Sequence, residues 1–181
     1  MTNRNLINQY LKQTQDIYGD KLYFNFKKDP KYSKVADYSL DEFYSSIKNC
    51  QACQLGATRK SFVFGVGDKN ADLLLVGEAP GEKEDMEGIP FVGRAGRLLD
   101  KILSAISLSR DSGVYICNVI KCRPPKNRDP LPSEIEKCEP YLKEQINLIK
   151  PKLIVALGRV AAKTLLNNDL PLKEMRSVKH N

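Results

Sequence analysis

No apolar run in this 181-residue sequence approaches the roughly 20 residues needed to cross a bilayer. The opening, Met1-Thr2-Asn3-Arg4-Asn5, lacks the apolar segment of a secretory signal. Both absences point to a cytoplasmic protein with no membrane contact. The Gly-Lys-Ser/Thr ending of a P-loop is missing and the glycine spacing is not the dinucleotide fingerprint, which excludes two common phosphate-binding loops. There is no internal repeat and no low-complexity tract. Histidine occurs once, at His180, where a terminal side chain is expected to be exposed. Five cysteines without an export signal argue for metal or free thiols rather than disulfides. Acidic residues are outnumbered, 22 against 29 Lys and Arg; the net charge of +7 favours polyanions without conferring specificity.

The most informative stretch runs from Ala71 to Ile106. Ala71–Val76 is a short apolar run that reads as a buried strand. Gly77-Glu78-Ala79-Pro80-Gly81 follows, then Gly88-Ile89-Pro90-Phe91-Val92-Gly93; glycines and prolines here are expected to exclude regular structure until about Arg94. Beyond it, Leu98, Leu99, Ile102, Leu103 and Ile106 recur at helical spacing and are expected to bury one face. Glycine lets backbone N–H groups approach a ligand, and a helix start attracts anions. Phe91 adds a stiff apolar plate. Such a loop suits a nucleotide, but by itself it fits equally well a purely structural β–α connection.

Strands and helices alternate along the chain. Strands are expected at Ser61–Gly65, Ala71–Val76, Gly113–Ile120 and Lys152–Leu157, with helices after Arg94, from a capping box at Ser133, and over Gly158–Leu166. Pro140 is expected to kink or restart the second of these. This order predicts an α/β fold of three layers, α/β/α, around a mostly parallel sheet, with ligands beyond the carboxyl ends of the strands, where Glu78, Asn118 and Gly158 fall. Residues 1–49 read as a helical N-terminal extension, with a helix over 4–18, a basic aromatic segment over 21–34, and a capping box at Ser39–Glu42 whose helix turns Leu40, Phe43, Tyr44 and Ile47 inward. Residues 50–181 form the main domain.

Cys50 and Cys53 make a Cys-x2-Cys pair, and Cys122 and Cys138 have fifteen residues between them. Four thiolates can close a zinc site or hold a [4Fe–4S] cluster, and spacing leaves both open. Cys117, within a strand, reads as a small buried hydrophobe. Lys121, Arg123, Lys126 and Arg128 place four cations beside the cysteines on a proline-extended loop, an arrangement that suits a nucleic-acid backbone. Glu82, Glu84 and Asp85 read as solvated.

Gly77-Glu78-Ala79-Pro80-Gly81, Pro90-Phe91-Val92-Gly93-Arg94-Ala95-Gly96, Asn118-Val119-Ile120-Lys121-Cys122-Arg123-Pro124-Pro125 and the four cysteines together resemble the type-4 uracil-DNA glycosylases, from about Cys50 to about His180. The resemblance implies excision of uracil from DNA by hydrolysis of the N-glycosidic bond, by a monomer with no obligate protein partner. It implies a [4Fe–4S] cluster held by Cys50, Cys53, Cys122 and Cys138. It further implies that Gly77, Glu78 and Ala79 line the uracil pocket with Glu78 catalytic, that Phe91 stacks on the base, and that Asn118 reads its edge. The family's later His-Pro-Ser-like motif has no counterpart before Asn181, and His180 does not map onto it. The last strand and the catalytic histidine are therefore expected to be missing. The alternative expectation is a catalytically impaired, DNA-binding iron–sulfur protein.

Overall fold

The computed structural model describes residues 38–176 and His180; the helix expected over 4–18 and the segment over 21–34 lie outside the described residues. Four strands, β1 (Val66–Gly67), β2 (Leu73–Gly77), β3 (Val114–Asn118) and β4 (Leu153–Ala156), form one sheet in the order β1-β3-β2-β4. β2 runs parallel to both β3 and β4, and only β1 is antiparallel. The helices are α1 (Leu40–Ile47), α2 (Leu55–Thr58), α3 (Glu82–Glu87), α4 (Arg94–Ala105), α5 (Pro132–Ile149), α6 (Arg159–Leu166) and α7 (Leu172–Met175), with a 3-10 turn at Pro125–Asn127.

Side chains alternate between the two faces of a strand, and here both faces are covered. Leu74, Val76, Tyr115, Cys117 and Ile154 enter one core with Leu40 and Phe43 of α1, Cys138, Leu142 and Ile149 of α5, and Ala161 of α6. Leu73, Leu75, Val114, Ile116 and Leu153 enter the other, against Leu99 and Leu103 of α4. The expected three-layer α/β/α arrangement is the one observed. Each fully buried Leu, Ile or Val contributes about 1.5–3 kcal/mol, so a one-residue slip in register, which would exchange the faces, is strongly disfavoured.

Several local expectations are corrected. Residues 82–87 are helical rather than irregular: Gly81 precedes three acids in the first turn, which suit the helix dipole, and Gly88 ends the helix at φ 74°. Ser61–Gly65 is not a strand; Phe62, Val63 and Phe64 are buried as an extended connection and pairing begins only at Val66. On α4 Gly96, Leu99 and Leu103 are buried, whereas Leu98 and Ile102 are 60% and 54% exposed. Tyr44 is likewise exposed, its ring lying 5.1 Å from that of Phe64. α5 starts after Leu131 with Pro132 in its first turn, not after Ser133, and passes through Pro140 unbroken. Pro140 and Glu136 are both on the solvent side, where water can replace the one lost hydrogen bond.

Candidate functional site

Gly77 and Asn118 end neighbouring parallel strands and lie opposite each other in register. A Cβ added at Gly77 would collide with both Asn118 Oδ1 and the edge of the Phe91 ring. Three residues from three separate stretches thus meet at one point on the carboxyl rim of the sheet. Asn118 is 1% exposed, and its Oδ1 has no hydrogen-bond partner. Leaving a buried acceptor unpaired costs about 1–3 kcal/mol, and such a group calls for an explanation.

Phe91 reaches this point from a left-handed backbone, φ 56°. Its loop is held by charged side chains. Arg110 Nη1 donates to the Pro90 carbonyl at 2.7 Å and Nη2 to the Phe91 carbonyl. Glu84 Oε1 accepts from the N–H groups of Val92 and Gly93, at 3.0 and 2.8 Å. Asp85, 3% exposed, accepts from the N–H groups of Lys60 and Ser61. Neither carboxylate is the solvated surface charge expected from sequence. The acidic first turn followed by Gly88 is a signal that could have revealed α3; Arg110 has no comparable local signature.

Glu78 is half-buried just beyond β2, with its carboxyl pushed above the usual carboxylate range by desolvation and by the nearby Asp129, which Arg159 partly offsets. Ala79 packs against the first core. A hollow of about 330 Å³ between α1 and β1 includes none of these rim residues.

At a second place Cys50, Cys53, Cys122 and Cys138 line one small pocket together with Arg59, Phe62 and Tyr141. Tyr141 donates to Cys50 Sγ at 3.1 Å, Arg59 to Cys122 Sγ at 3.3 Å, and the Lys121 N–H to Cys138 Sγ at 3.3 Å. Burial pushes the Cys138 thiol up to about 12. Among the described residues no group of three or more His, Cys, Asp or Glu is arranged to hold a single metal ion. Cys117 is fully buried, as expected.

The four neighbouring cations do not form a patch. Lys121 is fully buried, its ammonium donating to the Asn118 carbonyl at 2.7 Å and to Gln145 Oε1. Arg128 forms a bidentate pair with buried Glu134, and Arg123 donates to Asn127 Oδ1 at 2.8 Å. The loop is curled rather than extended, with Lys126 and Asn127 at φ 54° and 55°. His180 is half-buried rather than exposed, and its Nε2 lies 2.6 Å from the Met175 carbonyl oxygen.

A doubly covered, mostly parallel sheet defines an α/β protein, here with a ring and a buried amide meeting at the carboxyl rim where such folds bind their ligands. The family follows from comparison: the sequence model of the uracil DNA glycosylase superfamily matches residues 64–179, and the chain belongs to that superfamily. It is 51% identical over 129 residues to a type-4 uracil-DNA glycosylase of Archaeoglobus fulgidus, covering 71% of this chain and 64% of that protein. With the type-4 enzyme of Thermotoga maritima identity is 50% over 115 residues, 64% of this chain and 59% of that protein. A type-5 uracil-DNA glycosylase of Pyrobaculum aerophilum is 31% identical over 156 residues, 70% of this chain and 69% of that protein. The chain thus spans less than two thirds of the length of the type-4 relatives it matches. Among the described residues no helix is long and apolar enough to cross a membrane.

Proposed function

We propose that this protein removes uracil from DNA, and that the rim at Gly77, Phe91 and Asn118 receives the extruded base. The observation that carries the reading is the unpaired Asn118 Oδ1, a buried acceptor placed beside an aromatic ring. Bases inside a duplex are out of reach, so the nucleotide must be swung out of the stack. Phe91 stacking on it contributes about 1–3 kcal/mol. Asn118 Oδ1 accepts from uracil N3–H while its amide donates to O4. Cytosine reverses both polarities at that edge, leaving buried groups unpaired at about 1–3 kcal/mol each, and is rejected.

Glu78 is the catalytic carboxylate in this reading. Its raised proton affinity suits a base that takes a proton from water as the water oxygen bonds to the sugar C1′. The C1′–N1 bond breaks, its electron pair leaves with uracil, the proton taken up by Glu78 passes through solvent to the uracil anion, and the products are free uracil and an abasic site. Gly77 and Ala79 line the pocket, and the missing Cβ at Gly77 leaves room for the base edge.

Cys50, Cys53, Cys122 and Cys138 are assigned to a [4Fe–4S] cluster, which would staple the Cys50–Cys53 turn to the end of β3 and to α5. Two features support the fit. Donors already point at three of the sulfurs, as anionic thiolates require. The four cysteines also come from separate stretches of the chain to line one hollow together. The protein is read as a cytoplasmic monomer acting on uracil-containing DNA.

The test is excision from a single-stranded oligonucleotide carrying one uracil, read as abasic sites. Wild-type protein is expected to release uracil and spare thymine and cytosine, with Asn118→Ala slower by about 10²–10³-fold, the usual cost of one preorganised polar contact. Uracil-dependent binding without cleavage would instead identify a non-catalytic uracil reader. Equal treatment of uracil and cytosine strands by wild-type and variant would sink the pocket altogether.

A further inference from the structure

We infer that Arg110 is a positioning residue for base recognition: its guanidinium locks Phe91 in the backbone conformation that aims the ring at Gly77 and Asn118. The inference rests on the uracil pocket proposed above. A phenylalanine seldom holds a left-handed backbone unless its surroundings impose it. Here they do, from two sides. The fork of Arg110 spans two consecutive carbonyls, those of Pro90 and Phe91, while its third edge is fixed by Asp100 Oδ1, which accepts from Nε at 2.7 Å. Glu84 of α3 holds the next two amides, those of Val92 and Gly93. Three successive peptide groups, from Pro90–Phe91 to Val92–Gly93, are therefore tied by two charged side chains. Gly96 closes the remaining side, lying so near the Phe91 carbonyl that no side chain would fit there.

The position of Arg110 in the chain gives this arrangement its consequence. It stands in the tight turn where Ser109 and Ser112 exchange backbone hydrogen bonds, immediately before β3. β3 begins at Val114 and ends at Asn118. One continuous segment thus holds the stacking ring at its start and carries the edge-reading amide at its end. The distance between ring and amide is set by the rigid strand rather than by the loop. A planar, permanently charged guanidinium can bridge two carbonyls at once; an ammonium offers a single point charge and reaches one of them well.

The test uses the full chain, with single-stranded oligonucleotides carrying one uracil or one cytosine at the same place. Excision, equilibrium affinity and thermal unfolding are measured for wild type, Arg110→Met, Arg110→Lys, Asp100→Asn, Phe91→Ala and the Phe91→Ala/Arg110→Met pair. Arg110→Met is expected to reduce uracil discrimination about ten- to hundredfold, the range of one stacked base, with KM moving more than kcat. Lysine recovers part of the loss. Asp100→Asn, at an exposed carboxylate, gives a smaller loss without lowering the unfolding temperature. In the Phe91→Ala background Arg110→Met adds nothing further, because the group it positions is gone.

Discrimination undiminished in Arg110→Met, or losses that simply add in the pair, would overturn the assignment while leaving the pocket standing. If Arg110→Met does not fold, Arg110→Lys and Asp100→Asn decide the matter by the same criterion. A wild-type protein that fails to tell uracil from cytosine would instead remove the pocket reading, and this assignment with it.

Discussion

At the sheet rim, Asn118 keeps a buried oxygen with no donor. Around the cysteines the imbalance is reversed: a guanidinium, a phenol and a backbone N–H all point at sulfur. An empty acceptor waits for a neutral ligand that can donate, and surplus donors wait for negative charge. The two places are not independent. Lys121 donates its N–H to Cys138 Sγ and its ammonium to the Asn118 carbonyl, so a single buried residue spans both. The cysteine corner is held by contacts across the whole domain, and the rim by contacts to one loop.

The comparison can be broken at either end, and the largest effect is expected at the cysteines. Removing iron anaerobically with a chelator should lower global stability by about 5 kcal/mol or more, because the group organises segments far apart in the chain. Iron content and denaturant melts followed together check this, and identical melts with and without iron would dissolve the contrast. Next comes Gly77→Ala, whose new methyl meets Asn118 Oδ1 and Phe91. Uracil affinity should fall about a hundredfold, with an overpacking cost of only about 1–3 kcal/mol in melts. The smallest effect belongs to Glu134→Gln beside the cysteines, expected to cost about 1.5–3 kcal/mol at neutral pH.

Glu134 also gives the contrast a pH signature. Its carboxylate accepts from both Arg128 nitrogens, the Leu131 N–H and the Gln54 side chain that follows Cys53. The Arg128 contacts above all hold its pKa down to about 2, from 4.5. A depressed folded value means the stabilisation is complete above about 4.5 and drains away as pH falls toward 2. The stability gap between wild type and Glu134→Gln should therefore close across that window, as acid titrations of both proteins would read. A gap independent of pH would assign the loss to packing.

Much of the framework was legible because its causes are local. Short apolar runs around Leu73–Val76 and Val114–Cys117, with a helical period between them, led directly to a covered parallel sheet. The same order put Asn118 at the carboxyl rim, while its register opposite Gly77 is seen only in the fold. Apolar type alone did not reveal which angle α4 turns to the sheet, so Leu98 and Ile102 were assigned inward with Leu99 and Leu103. The same limit applied to charge. Lys121 and Arg128 looked like exposed cations, and Glu84 and Asp85 like solvated acids, because their partners lie 24, 6, 8 and 25 residues away.

Linear order therefore settled the three parallel strands and the Cys-x2-Cys pair, since periodicity and turn chemistry act over a few neighbours, whereas the rim residues were named from the motifs the chain shares with its family. Folding alone decided that Asn118 would keep an unmet acceptor, that a lysine would be buried between amide and thiol, and that Arg110 would hold a loop 19 residues earlier in the chain. Burial and pairing are properties of whatever the folded chain brings alongside a group. No stretch of sequence carries that information by itself.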